Sequence, residues 1–129
     1  MKTYSIRNTP MKILLESVYF GYKDMTLKIP AGYAFDWLSV PQLFQNIVNM
    51  NETNNIEFWA IHDYFYSEAC IVSITRKDAD KHLWECIWGL SGLIVYLWVR
   101  IWWAFSWKKD RNYKKYKKQI ELARKWLSL

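Results

Sequence analysis

The chain has 129 residues, a formal net charge of +6, and nine Trp and nine Tyr against only two Cys. That length suits one domain with its own core, excludes a second domain of ordinary size, and makes disulfides or metal staples unnecessary for folding. The charge is lopsided: residues 1–107 carry a net of −1, whereas 108–129 hold nine Lys and Arg against two acids.

A tail of that kind is drawn to anionic headgroups, nucleic acid or an acidic protein surface, and composition does not choose among them. Tryptophan in such numbers exceeds what a small core needs, so some rings are expected to face a membrane or a partner. Cys70 and Cys86 have no CxxC spacing and read as buried free thiols. The polar first ten residues lack a secretory pattern, which places synthesis in a reducing cytoplasm.

In chain order, residues 11–20 and 25–29 are β-prone runs separated by Gly21-Tyr22-Lys23-Asp24, predicting a hairpin with a four-residue loop. The segment Pro30 to Pro41 is irregular, and Ser39 or Val40 leads into a short helix over 41–49 with Pro41 at its first position. After the polar loop 49–55, Asn54 or Asn55 caps a helix over 56–69. Thr75, with Asp78 three residues on, starts another helix that runs through Asp80 to about Trp88. Gly89 and Gly92 mark a break or a close helix contact, followed by an apolar helix to Trp107 and a basic helix to the C-terminus. The expected class is α+β, mainly α: an N-terminal β-hairpin and four to five helices, with one domain over 1–107 and a basic helix over 108–129.

The chemistry concentrates in His62-Asp63-Tyr64-Phe65-Tyr66 and Asp80. His62 and Tyr66 share a helix face, with Asp63 about 100° away around the cylinder. In ester hydrolysis His62 takes a proton from water, Asp80 fixes its tautomer and Tyr66 donates a hydrogen bond to that carboxylate. Asp63 suits a hard divalent cation such as calcium. The competing reading is a structural His–Asp network without turnover. His82 reads as a helix-face residue, Asp36 and Ser39 as capping or bracing groups, and Arg76, unfavourable near a helix start, as paired with a carboxylate.

The pattern Pro30-Ala31-Gly32-Tyr33-x-x-Asp36-x-x-Ser39-Val40-Pro41, then His62-Asp63-Tyr64-x-Tyr66, then Arg76-x-x-Ala79-Asp80, closely resembles a phage and prophage family known as domain of unknown function 1353. The resemblance covers about 11–107 and implies a bacteriophage or prophage origin; the host cytoplasm, free or at a membrane, or the virion is the expected location, and a phage or host protein is an expected partner. His62-Asp63-x-x-Tyr66 with Ala79-Asp80 is more distantly similar to the active-site helix pair of phospholipases A2. That likeness implies His62 as base, Asp63 as calcium ligand, Tyr66 as supporting phenol and Asp80 as orienting carboxylate. Those enzymes carry a glycine-rich calcium loop just before the histidine, whereas residues 45–61 contain no glycine, so Gly32 would have to serve.

Residues 87–99 are uncharged before Arg100 interrupts. Thirteen residues fall short of the roughly 20 that span a bilayer, and a central Arg costs about 2.5–3.5 kcal/mol. Three forms stay open: a core helix with Arg100 snorkelling or paired, an interfacial helix using Trp98, Trp102, Trp103 and Trp107 beside the cationic tail, and a spanning helix. In the tail, Tyr113 and Tyr116 among lysines suit nucleic acid, but Ile120, Ala123 and Leu127, with Trp126 nearby, make docking onto the domain the preferred reading.

Overall fold

A computed structural model describes residues 3–36, 53–87 and 89–129. Among the described residues, the strands β1 (Thr3–Ser5), β2 (Met11–Leu14), β3 (Val18–Tyr22), β4 (Met25–Ile29) and β5 (Ala34–Asp36) come first. The described helices are α1 (Thr53–Tyr66), α2 (Arg76–Ile87), α3 (Gly89–Trp102), α4 (Arg111–Lys115) and α5 (Lys117–Leu127), with a 3₁₀ turn at Ala104–Ser106. The α+β, mainly helical class is as the residue patterns predict.

The strands make two antiparallel sheets, one ordered β1-β2-β5 and the other the β3-β4 hairpin. The run 11–20 is therefore not one strand; Leu15-Glu16-Ser17 interrupts it and its halves join different sheets. The hairpin turn is also tighter than expected. Tyr22 pairs with Met25, so only Lys23 and Asp24 lie in the turn, and Lys23 takes the left-handed conformation at φ 54°. Along the hairpin, Val18, Phe20, Leu27 and Ile29 face inward while Tyr19 and Lys28 face water, the period of two that buries one face.

Thr75 caps α2 as expected, its Oγ1 accepting the Asp78 N–H at 3.1 Å. The apolar helix stops at Trp102, earlier than Trp107, and the basic tail is two helices broken at Tyr116. Gly89 makes the α2–α3 break with φ 67°. Gly92 makes the close contact: a Cβ there would lie 2.9 Å from both Cδ1 and the backbone oxygen of Trp84. The helix expected over 41–49, its start at Ser39–Pro41 and residues 49–52 of the loop expected over 49–55 lie outside the described residues, whereas Thr53–Asn55 already belong to α1, so Asn54 and Asn55 lie inside the helix and do not cap it.

The main core packs Leu14 and Phe35 with the hairpin and with α1, α2 and α3. The opposite face of the β1-β2-β5 sheet, with Met11, Ile13 and Ala34, is covered by Ile120 of α5. Alternation along β2 and β5 thus gives the small sheet two buried sides, and the C-terminal arm supplies the second. Fully burying a side chain like Ile120 stabilises by about 1.5–3 kcal/mol.

Candidate functional site

From Trp59 to the end of α1, Trp59 to His62 and Tyr64 to Tyr66 are buried, and Asp63 is the one half-buried residue of that stretch. A helix apolar on nearly every side belongs inside the protein, and it takes His62 with it. His62 and Asp80 each have 0% exposure.

The predicted pairing is present. His62 Nε2 lies 2.8 Å from Asp80 Oδ1, and the Tyr66 hydroxyl donates to the same oxygen at 2.6 Å. Arg100 of α3 donates to Asp80 Oδ2 at 3.1 Å, and Arg76, one turn before Asp80 on α2, approaches that oxygen at 3.7 Å. Arg76 also donates to the Val99 and Arg100 carbonyls, so it tethers the last turn of α3 to the start of α2. Burial alone would raise the Asp80 pKa, but bonds from His62, Tyr66 and Arg100 outweigh it and hold the carboxyl below its ordinary value. The Tyr66 phenol is pushed upward, first by burial and then by its bond to Asp80.

Nδ1 of His62 is buried and has no hydrogen-bond partner among the described residues. With the proton on Nε2, facing the carboxylate, Nδ1 is the bare lone pair of the ring. Trp59, Tyr66 and Trp103 pack around the imidazole at centroid distances of 5.7, 4.5 and 5.3 Å. Trp103, expected at a lipid surface, is instead 7% exposed because its ring closes this aromatic shell. Trp107 stacks edge-on against Tyr66 at 4.9 Å and is half-buried, as is Trp98. The Trp102 side chain lies outside what is described.

Asp63 points away from the clamp into a neighbouring cavity of about 560 Å³, which Tyr66, Trp103, Asp36 and Asp110 also line. Tyr33 donates to Asp63 Oδ2 at 2.9 Å. Burial, with further repulsion from Asp36 and Asp110, raises the Asp63 pKa to about 8. The two residues assigned to calcium are both engaged otherwise. The Gly32 carbonyl accepts Arg124 Nε at 2.7 Å, and that guanidinium would oppose a cation at the same oxygen. Among the described residues no group of three or more His, Cys, Asp or Glu side chains is arranged to hold a metal ion. Asp36 accepts a bond from the Asn112 side chain, so it fastens the arm to β5. Ser39 lies outside the described residues.

A family model described as "Protein of unknown function (DUF1353)" matches residues 11–104. The chain belongs to this family. Comparison with curated proteins and with solved structures returns no match. The matched span contains His62, Asp63, Tyr66, Arg76, Asp80 and Arg100 and ends before the basic arm.

Sequence reasoning left Arg100 open between snorkelling and pairing; a lone charge inside an apolar run is the signal for a buried partner. Lys108 does more than add charge to the tail. Its Nζ donates to the Phe65 and Ser67 carbonyls at 2.8 and 2.9 Å, satisfying the C-terminal end of α1. His82 is a helix-face residue as read: its ring packs on Phe65 at 5.4 Å, and burial lowers its pKa.

Proposed function

We propose that the chain is a non-catalytic component of a bacteriophage or prophage, a virion- or tail-associated or host-protein-binding factor whose His62–Asp80 clamp is structural. The observation that carries this reading is the complete burial of both residues, with Trp59, Tyr66 and Trp103 packed around the imidazole. A general base must come within hydrogen-bond reach of the proton it removes. The Asp80 carboxylate, carried by α2, instead collects donors from α1 and α3 with Arg76 close by as an ion pair, which joins three helices at one buried point. What a partner can reach is the adjacent cavity with Asp63, not the imidazole.

The test is hydrolysis of phospholipid vesicles and of a soluble aryl ester by the full chain, with and without calcium, alongside urea unfolding of His62→Ala and Asp80→Asn. The expected outcome is no turnover by wild type and a lowered midpoint in both variants. Turnover that His62→Ala abolishes while the fold survives would replace this reading with a second one. That second reading, a lipid-ester hydrolase of the phospholipase A2 kind, is favoured by the unpartnered Nδ1, since a buried polar atom without a bond calls for a water or a reactant.

A further inference from the structure

The arm that covers the small sheet has a second face. With about 100° of rotation per residue, Leu122 points about 200° away from Ile120, and Lys118, Lys125 and Trp126 fall on the same outer side. Exposure agrees: Ile120 is fully buried, whereas Leu122 is 67% and Trp126 75% exposed. The stripe ends with the helix: Ser128 takes the left-handed conformation at φ 58°, and Leu129 turns back toward Gly32. Lys115, Lys118 and Lys125 beside it are all exposed, and Glu121, the single acid of α5, is paired with Lys117 at 4.0 Å. Trp126 leans one edge on Tyr4 at 6.0 Å and leaves most of its ring in water.

Leu122 and the exposed part of the Trp126 ring, rimmed by lysines, add little to the fold beyond the Tyr4 contact, because the inner face already makes the main docking contacts. Their chemistry matches an anionic bilayer: lysines meet headgroup charge, and the amphipathic indole sits at the boundary of headgroups and acyl chains. We infer that the outer face of α5, through Leu122, Trp126, Lys118 and Lys125, is a peripheral docking surface for an anionic lipid bilayer. The contact is interfacial; among the described residues no helix is long and apolar enough to cross a membrane. It also moves the expected lipid-facing tryptophan from Trp103, which is buried, to Trp126.

The experiment is flotation of the full chain with vesicles of phosphatidylcholine alone or mixed with phosphatidylglycerol, at low and at physiological salt, with a competing DNA duplex in a further arm. The expected result is recovery with the anionic vesicles, at least tenfold less with neutral ones, and weakening by salt, on the order of what several surface lysines supply. Lys118→Glu with Lys125→Glu should lower binding by roughly tenfold or more. Leu122→Ser with Trp126→Ser should lower it comparably with unchanged circular dichroism, and Trp126→Phe should retain most of it. Absence of vesicle binding by wild type, equal recovery on neutral vesicles, wild-type binding by both double variants, or displacement from vesicles by the duplex would each overturn the assignment.

Discussion

Asp80 is the residue on which most of the interior polar chemistry converges, and its partners differ in what their loss leaves behind. Asp80→Asn strips the negative charge from between Arg76 and Arg100 and should cost about 3–5 kcal/mol, the usual result of breaking a buried pair from one side. His62→Ala keeps Tyr66 and Arg100 on the carboxylate but opens a hole within the aromatic shell, and about 2–4 kcal/mol is expected. Urea midpoints rank the two, and His62→Ala proving the more damaging would contradict the clamp as drawn. Asp63 gives a pH signature of its own. Its pKa is about 8 in the folded protein against an ordinary value of 3.8, so the native state holds the proton more tightly than the unfolded chain. Stability from this group therefore falls as pH rises from about 4 to about 8 and levels off above that. Asp80, with a depressed pKa, works in the opposite direction, losing its contribution only as pH falls below the ordinary carboxylate range. Asp63→Asn should flatten the slope between about pH 4 and about pH 8, and an unchanged slope in that variant would assign it to other groups. The His62–Asp80–Tyr66 set could be read from helical spacing because it depends on i and i+4 geometry and one capped neighbouring helix. Its enclosure could not, since Trp103 arrives from forty-one residues further along the chain.

Elements start and stop where local chemistry is strong. Thr75 with Asp78 marked the start of α2 correctly because the cap is a contact between residues three apart, and Thr75→Ala should cost about 1 kcal/mol. The hairpin turn was misjudged because Tyr22 and Met25 continue the pairing, which cross-strand packing decides rather than turn composition. The two glycines near the α2–α3 connection separate backbone from packing effects. Gly89 has φ 67° with open space around it, so Gly89→Ala should cost about 1–2 kcal/mol in backbone strain alone. Gly92 lies inside a helix, where alanine would ordinarily gain about 1 kcal/mol in propensity. Its Cβ, however, would press to 2.9 Å on the Trp84 carbonyl, and backbone cannot swing aside as a side chain can. Gly92→Ala is therefore expected to be net destabilising, with α2 and α3 forced apart. A stabilised Gly92→Ala in thermal unfolding would mean that the two helices do not approach so closely.

At the scale of the whole molecule, the family match ends at residue 104, yet the fold described here does not end there. The apolar stripe of the tail was legible at Ile120 and Ala123; what it covers was not, because the covered residues, Ile6, Met11, Ile13 and Ala34, come from the opposite end of the chain. Charge counting also assigned the arm's lysines and arginines to outside partners, whereas Lys108 and Arg124 bond backbone carbonyls of α1 and of the Gly32 turn. If the arm is part of the fold, removing residues 108–129 exposes one side of the β1-β2-β5 sheet and takes donors from the carbonyls of Phe65 and Ser67, held by Lys108 Nζ, and of Tyr66, held by the Lys108 backbone N–H, with Ser67 keeping the Cys70 N–H. The fragment 1–107 should then melt on the order of 10 °C or more below the full chain, given several kcal/mol of lost burial and capping. It should also bind a hydrophobic dye that the full chain excludes. Because truncation removes charge as well as contacts, Ile120→Asp in the full chain is the sharper form: it keeps the lysines and places a carboxylate where the sheet offers only apolar partners. A melting temperature for Ile120→Asp within a degree or two of wild type would show that the arm rests on the sheet without stabilising it.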